Sequence, residues 1–364
     1  MGPNVCYMDR YVKLNYFILS FGFNLNTMKV AIARSAKYPT PEGWIQYCKE
    51  HSIEYKFVDP YSTTLIADLQ GYEFFLWYIY HTDYRDMLFA KQLFISLELA
   101  GKKVFPNYFS CWHFDDKLGQ KYALEGIGAP HIPSYAFYTK KEAFAWVNQS
   151  TFPKVMKLRG GAGGRNVILV KTKVQARRLV KKAFGKGFSQ TSDKFQYLRD
   201  QLLMIKNKQR SLIEGLAKGI GAFFVKSEYA KMHGNDKGYI LFQDFIPDSN
   251  FDIRLIVIGN RAYGMKRITR DGDFRASGSG KFIYDPIPKD IVKIAFDTAD
   301  KLKLQSVAFD FMYNEGKPVI IEMCYGFGTK GSNHCEGFWD RNFEWHIEAP
   351  KPHYWQLEDL LANE

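Results

Sequence analysis

Residues 306–325 read SVAFDFMYNEGKPVIIEMCY, the pattern of a β-hairpin with a turn at residues 314–317. If the turn uses three residues, 315–317, Asp310 lies directly opposite Glu322, and opposed residues of antiparallel strands project from one face. Two carboxylates side by side among apolar residues repel each other unless a cation neutralises them, and Mg²⁺ prefers oxygen ligands. The hairpin therefore predicts a magnesium site. The alternative is a pair of solvent-facing acids on an edge hairpin.

A second motif lies upstream, at residues 152–170, which read FPKVMKLRGGAGGRNVILV. Four glycines follow Lys157 and separate two strand-like runs, and glycine lets backbone amides approach phosphate oxygens. No Lys-Ser/Thr follows the glycines and no helix opens after them, which excludes a Walker A loop and a Rossmann fingerprint. The loop is similar to the phosphate-covering hairpin of protein kinases, but the chain lacks HRD and DFG motifs. Alone, it is equally compatible with a hairpin that binds nothing.

A series of cations lies between these two motifs. Arg254 occurs in DIRLIVIG, Lys266 and Arg267 occur in GMKRI, and Arg275 occurs in FRAS. Cations on strands that face a metal site would bind phosphates or a developing oxyanion. Any one of them alone is more often a surface charge, so the series matters more than its members.

The chain before residue 114 predicts a separate sheet. Strand-like runs at 29–34, 54–59, 72–80 and 102–107 alternate with helical patterns, which indicates a parallel, doubly wound sheet buried on both faces. We predict that the fold starts at Met28, where the first strand-like run begins. Before it, residues 11–25 form an apolar run that has the outline of a signal peptide but no small-residue cleavage site. We therefore predict the following divisions: an extension outside the fold at 1–27, an α/β domain at 28–113, a small lobe at 114–237, a large lobe at 238–345 and a tail at 346–364.

Two helical stretches of the small lobe leave alternatives open. The first, near 174–184, is flanked and covered by Lys and Arg with no acid among them, and is either a solvated face or a contact for an anionic partner. The second, at 193–218, has a heptad-like apolar pattern, which permits a dimer contact or ordinary packing on the parent domain.

Composition narrows the class of protein. The 364 residues are 46% hydrophobic and 24% charged, which are globular values, and no apolar run approaches the ~18 residues of a membrane span. The net charge of +12 favours an anionic partner. Five scattered cysteines without metal-type spacing indicate free thiols in a reducing cytoplasm.

The order of these parts resembles the ATP-grasp superfamily, most closely the carboxylate–amine ligases of the ribosomal-protein glutamate ligase type, over about residues 114–328. The tail is also similar to endings of ATP-grasp proteins of bacterial surface-polysaccharide synthesis. The resemblance implies an α/β protein with an ATP-grasp fold after a small parallel-sheet domain, with ATP and Mg²⁺ as cofactors. Its partners would be a small-molecule or saccharide carboxylate and an amine, with no membrane partner and no nucleic acid.

The resemblance also implies roles for individual residues. The phosphates of ATP would contact Lys117 and Lys157 from the two sides of a cleft, under a loop of Gly160, Gly161, Ala162, Gly163 and Gly164. The adenine would lie against the backbone of Gln243, Asp244, Phe245 and Ile246, with Asp252 near the ribose. The transferring phosphate would meet Arg254, Arg267 and Arg275, and Mg²⁺ would be held by Asp310 and Glu322.

Two departures from that family pattern leave other functions open. Cys324 stands where an Asn metal ligand is common, and a thiol suits Mg²⁺ poorly, so water or another group such as Asn333 would complete the site. Gln243 stands where an acid is common. The first alternative is a kinase of the same fold that phosphorylates a polyol phosphate. The second is a non-catalytic protein that binds a nucleotide or a nucleic acid.

Overall fold

The structure is a computed structural model that describes residues 28–161, 166–189, 228–247, 249–270, 273–329, 331 and 334–362. The extension at 1–27, the heptad-like stretch at 193–218 and the loop residues Ala162, Gly163 and Gly164 lie outside the described residues. Within the described ranges, no helix has the length and apolar character needed to cross a bilayer.

The first sheet has four parallel strands in the order β2-β1-β3-β4. Apolar clusters cover both of its faces, which confirms the predicted doubly wound architecture. Its elements are β1 (Lys29–Ala33), α1 (Glu42–Glu50), β2 (Glu54–Val58), α2 (Leu65–Asp68), β3 (Phe74–Leu76), α3 (Tyr84–Leu99), β4 (Lys103–Phe105) and α4 (Tyr108–Cys111).

The second sheet is antiparallel, with the order β5-β10-β6-β7. Helices α6 and α7 pack on one of its faces. Met156 points to that side, whereas Val155 and Lys157 point into a cavity on the other. This part comprises α5 (Lys117–Gly126), β5 (Ser134–Phe137), α6 (Lys140–Gln149), β6 (Lys154–Lys157), β7 (Val167–Val170), α7 (Lys173–Ala183), β8 (Phe188–Ser189), α8 (Glu228–His233), β9 (Asn235–Asp236) and β10 (Ile240–Asp244).

The third sheet is also antiparallel, in the order β15-β14-β11-β12-β16-β17, with β13 beside β12. Helix α9 buries Ile291, Ala295 and Ala299 against it, at the four-residue spacing of one helix face. Its elements are β11 (Phe251–Ile258), β12 (Arg261–Ile268), β13 (Phe282–Ile283), α9 (Lys289–Lys301), β14 (Ser306–Asn314), β15 (Lys317–Cys324), β16 (Phe338–Asp340) and β17 (Trp345–His346).

The β14–β15 hairpin differs from the prediction in its turn. Asn314 pairs with Lys317, so the turn has two residues, Glu315 and Gly316, both with positive φ, and the predicted three-residue turn is wrong. A bulge then adds one residue to β15: Phe311 pairs with Ile320, but Asp310 pairs with Glu322. The two carboxylates therefore face each other, by a different route from the one predicted.

The chain ends in α10 (Pro352–Ala362), which packs on the first sheet. Leu357 is fully buried there beside Trp44. The side chain of Gln356 accepts a hydrogen bond from Trp44 Nε1 at 3.1 Å and donates to Ser306 Oγ at 3.2 Å. This helix therefore joins the first sheet to the third.

Candidate active site

A cavity of about 280 Å³ lies between the second and third sheets. Most of the predicted site residues line it, although they come from distant parts of the chain. They are Lys117, Lys157, Gly161, Gln243, Asp244, Phe245, Ile246, Asp252, Arg267, Arg275, Asp310 and Glu322. Two described candidates, Gly160 and Arg254, do not line it; Arg254 lies beside Asp310 on the neighbouring strand.

Asp310 is the most strongly paired carboxylate of the site. It is 4% exposed, and its oxygens accept from Arg254 Nε at 2.8 Å and from Arg254 Nη2 at 2.9 Å. A third contact comes from Arg267 Nη2 at 2.8 Å. Burial alone would raise the pKa of Asp310, but the two guanidinium groups outweigh it and hold that pKa well below its usual range. Asp310 is therefore ionised at neutral pH.

Glu322 is the more accessible partner. Its side chain is 34% exposed, and Oε1 lies 3.3 Å from Lys117 Nζ. Burial acts to raise the pKa of Glu322, but Lys117 and Lys157 lower it further than burial raises it. The cavity thus holds two ionised carboxylates on adjacent strands.

This donor set fits Mg²⁺, which takes one or two carboxylates and leaves its other positions to phosphate oxygens and water. Cys324 does not extend the set. Burial raises the pKa of its thiol to about 12, and Sγ donates to the carbonyl oxygen of Gly326 at 3.5 Å. A neutral thiol is a poor ligand for a hard cation. Asn333, the other candidate ligand, lies outside the described residues.

Two buried lysines approach the carboxylates from opposite elements, the start of α5 and the end of β6. Lys117 Nζ donates to Gly161 O at 2.7 Å; burial lowers its pKa, but Glu322 and Asp115 outweigh burial and raise it. Lys157 Nζ donates to the carbonyl of the bulge residue Ile321 at 3.3 Å. Burial lowers the pKa of Lys157 to about 8, so both lysines are mainly cationic at pH 7.

The entrance of the glycine loop is tied to the start of α5 by a residue that the sequence did not single out for this role. Asp115 Oδ1 accepts from Gly161 N at 2.7 Å, and a Cβ on Gly160 would lie 2.9 Å from Asp115 Oδ2. Asp116, not Asp115, caps α5 by accepting from Gly119 N at 3.0 Å. The positive φ of Asp115, 49°, shows that its backbone lies outside the helix.

The segment from Gln243 to Ile246 continues β10 along one wall of the cavity. Its first two side chains are already engaged: Gln243 Nε2 donates to Ser134 Oγ at 3.0 Å, and Asp244 Oδ1 accepts from Lys154 Nζ at 2.5 Å. An adenine contact at this segment stays a prediction.

The remaining predicted residues form a second set of ion pairs. Both oxygens of Asp252 accept from Arg267 at 2.6 Å, so Arg267 bridges Asp252 and Asp310. Arg275 pairs with Asp273, a cavity residue that the sequence did not single out, at 2.6 Å. The ribose role predicted for Asp252 and the phosphate roles predicted for the arginines stay predictions.

The family model of the RimK-like ATP-grasp domain matches residues 200–338. Among solved structures, the chain is similar to a RimK domain ATP-grasp protein from Sphaerobacter thermophilus, with 16% identity, a TM-score of 0.53, and coverage of 83% of this chain and 92% of that one. The D-alanine–D-alanine ligase from Bacillus anthracis complexed with ATP gives 14% identity, a TM-score of 0.50, and coverage of 92% and 95%.

A third similar structure is the biotin carboxylase domain of 2-oxoglutarate carboxylase from Hydrogenobacter thermophilus, in complex with MgADP, ADP and bicarbonate. It gives 13% identity, a TM-score of 0.54, and coverage of 92% of this chain and 70% of that one. The search of curated protein sequences returned no match. Residues 200–338 therefore match a RimK-like ATP-grasp domain, and the chain has the ATP-grasp fold.

Proposed function

We propose that the protein is an ATP- and Mg²⁺-dependent ligase that joins a carboxylate to an amine. One observation carries the proposal: two ionised carboxylates, Asp310 and Glu322, lie in a cavity beside the buried lysines Lys117 and Lys157, at the entrance of the glycine loop. The RimK-like domain supports this class of enzyme, and the similar structures named as bound to ATP or MgADP support the nucleotide and the metal.

In the proposed reaction, the γ-phosphoryl group of ATP moves to an oxygen of the substrate carboxylate, and ADP leaves. The resulting acyl phosphate is attacked at its carbonyl carbon by the amine, and an amide and inorganic phosphate are formed. Mg²⁺, held by Asp310 and Glu322, would neutralise phosphate charge. The chain's own contribution is to position the reactants and to supply cations where negative charge develops.

We propose that the cations of the cavity bind different phosphate groups, according to where each cation lies. Lys117 and Lys157 reach the carboxylate pair from two sides and would hold the phosphates. Arg267 and Arg275 line the cavity and would meet the acyl phosphate. Arg254 would act through Asp310, because both hydrogen bonds of its guanidinium group go to that carboxylate.

The substrates that we propose are an acidic sugar or polysaccharide precursor and an amino acid. The supporting observation is chemical: the cavity offers buried cations to an acid, and the tail is similar to those of polysaccharide-synthesis proteins. We also propose that the divisions predicted from the sequence are the domains of the protein and that it works in the cytoplasm. The four described cysteines, Cys48, Cys111, Cys324 and Cys335, are free.

The test is to incubate the protein with ATP, Mg²⁺, pooled acidic sugars, amino acids and hydroxylamine, and to measure hydroxamate and ADP. Hydroxylamine intercepts an acyl phosphate, so we expect hydroxamate that the Glu322→Gln variant fails to produce. Glu315→Gln, in the exposed turn of the same hairpin, is the matched control and should retain the activity. ADP without hydroxamate would instead indicate a kinase, and neither product would refute the ligase for these substrates.

A further inference from the structure

The excess positive charge of the chain is concentrated in one part of it. Residues 138–189 contain thirteen lysines and arginines and one glutamate, a balance of +12 that equals the net charge of the whole protein. The rest of the chain is neutral in sum. The net positive charge of the protein must therefore be explained by a property of residues 138–189, and a general need for solubility does not explain why it is concentrated there.

Nine of these cations share one outer surface, formed by α6, α7 and the residues beside α7. All nine are exposed, and we call this surface the basic face: Lys140, Lys141, Lys171, Lys173, Arg177, Arg178, Lys181, Lys182 and Lys186. The helices bury Ala143, Val147, Ala176 and Val180 against the second sheet. The cavity lies on the opposite side of that sheet, so an occupant of the basic face would leave the candidate active site accessible.

The cations of the basic face are not neutralised by acids of the described residues. No ion pair joins any of them to a carboxylate in the described part of the chain. Two of them contact Asn148 instead, through Lys173 Nζ at 2.7 Å and Arg177 Nε at 3.2 Å. Elsewhere on the surface, cations commonly have acidic partners, such as Lys29 with Glu54.

The arrangement also weakens the helices that carry it. Like charges four residues apart, as at Arg177 and Lys181 or Arg178 and Lys182, repel each other on a helix surface. Lys140 and Lys141 stand in the first turn of α6, where the helix dipole disfavours cations. An anionic surface in contact with this face would reduce both the repulsion between the cations and their unfavourable interaction with the helix dipole. This indicates that the charges serve binding.

The face is suited to a lipid headgroup surface more than to a nucleic acid. Seven of its nine cations are lysines, which act as point charges and lack the planar fork of arginine that recognises phosphate bidentately. Among the exposed large hydrophobic side chains, Val174 alone belongs to α6 or α7, so neither helix offers an exposed ring for stacking on bases.

We propose that the basic face adsorbs the protein to a membrane surface rich in anionic lipid headgroups. This binding is peripheral and electrostatic, so it requires no spanning helix, but it departs from the expectation of no membrane partner that was drawn from the sequence. It goes beyond the proposed ligase activity and does not depend on it. Each lysine or arginine near such a surface changes the partition coefficient by about fivefold, and the attraction is screened as salt is raised.

The experiment is sedimentation of the full chain with vesicles of phosphatidylcholine, alone or with about 30 mol % phosphatidylserine, at about 0.1 M and 0.5 M NaCl. We expect binding only to the anionic vesicles, at least about tenfold weaker at the higher salt. The variant Arg178→Glu/Lys181→Glu/Lys186→Glu should lose more than about 100-fold in partitioning, and the corresponding triple Gln variant should lose less.

The matched control is Lys49→Glu/Lys293→Glu/Lys317→Glu, which changes net charge equally at exposed lysines outside the basic face. It should bind anionic vesicles within about threefold of the original protein. Far-ultraviolet circular dichroism and melting temperature establish that each variant is folded. The proposal is overturned if anionic vesicles do not bind, if the control loses as much as the face variant, or if duplex DNA rather than lipid binds in a face-dependent way.

Discussion

At the scale of single residues, the candidate site consists of buried acids and bases, and each ion pair keeps both of its partners ionised. Asp310 is fixed by two arginines, and Glu322 by Lys117. Asp310 is therefore as much a structural partner as a metal ligand, whereas Glu322 is freer to bind a cation. The two acids should respond differently when each is neutralised.

We expect Asp310→Asn to lower the free energy of unfolding by about 3 kcal/mol, because two guanidinium groups lose their shared anion in a buried place. Glu322→Gln should lower it by less than about 1 kcal/mol, since its carboxylate is 34% exposed and pairs only with a lysine. Urea unfolding of both variants measures the difference. Equal losses would contradict the structural role of Asp310.

A second residue-scale prediction concerns Asp115, whose carboxylate takes the amide of Gly161 at the mouth of the glycine loop. Asp115→Asn keeps an acceptor for that amide but removes a negative charge near Lys117. We expect it to tighten ATP binding several-fold, on the order of 1 kcal/mol, and to leave adenosine binding unchanged. Calorimetric titration with both ligands measures this. Weaker ATP binding would show that the charge itself is needed.

At the scale of elements, the β14–β15 hairpin shows how far the sequence could be interpreted. Apolar alternation and the turn at residues 314–317 predicted the hairpin, whereas the opposition of Asp310 and Glu322 was predicted from a three-residue turn that the structure does not have. The bulge was missed because its cause is distant: Ile320 bonds through its backbone to Pro130 and Ile132. Contacts of this kind between remote segments have no local signature in the sequence.

The turn of this hairpin should be sensitive to glycine loss. Gly316 has φ of 78°, a left-handed conformation that other residues adopt at a cost of about 1–2 kcal/mol. We expect Gly316→Ala to lower the melting temperature by several degrees, while Lys317→Ala, the next residue, has little effect. Differential scanning calorimetry compares the two. An unchanged melting temperature in Gly316→Ala would refute the turn conformation.

For the other elements too, features with a local cause were predicted from the sequence, and features that depend on distant contacts were not. The four strands of the first sheet were predicted because their apolar runs alternate with amphipathic helices. The site residues of the resemblance were found through their order along the chain, and the fold brings twelve of them to one cavity. Asp115 and Asp273 were missed, because nothing in their neighbourhoods distinguishes a positive φ or an ion pair with a cavity residue.

At the scale of the whole molecule, a buried histidine lies in the segment of chain between the first sheet and α5. His113 has no exposed surface, its ring nitrogens have no hydrogen-bond partner among the described residues, and burial lowers its pKa to about 4. Its unfolded pKa is near 6.5, so between pH 6.5 and 4 the unfolded chain binds a proton that the native state does not. Native stability should therefore fall as pH falls through this window.

We expect this histidine to account for up to about 3 kcal/mol of the acid sensitivity. His113→Phe, which retains a ring but cannot titrate, should lose less stability than the original protein between pH 7 and pH 4.5. The exposed His334→Phe is the control and should leave the pH profile unchanged. Urea unfolding at several pH values gives the comparison, and parallel profiles for all three proteins would refute the assignment.

The C-terminal helix also acts on the whole molecule, because it completes the core of the first sheet. Leu357→Ala should lower the free energy of unfolding by about 3 kcal/mol, the typical result for a fully buried leucine. Hydrogen exchange should show the loss in β1 and α1, which share that core, as well as in α10. Protection lost in α10 alone would mean that the helix is an appendage.

The position of α10 along the chain matters during synthesis. The strands of the first sheet are translated early, but Leu357, Leu360 and Leu361, which cover one of its faces, follow only after the strands of all three sheets. Until these leucines emerge from the ribosome, the nascent protein presents an uncovered apolar face on the first sheet. Such a chain needs shelter from aggregation during that interval, so its yield in cells should depend on chaperone supply and on translation speed more than its final stability would suggest.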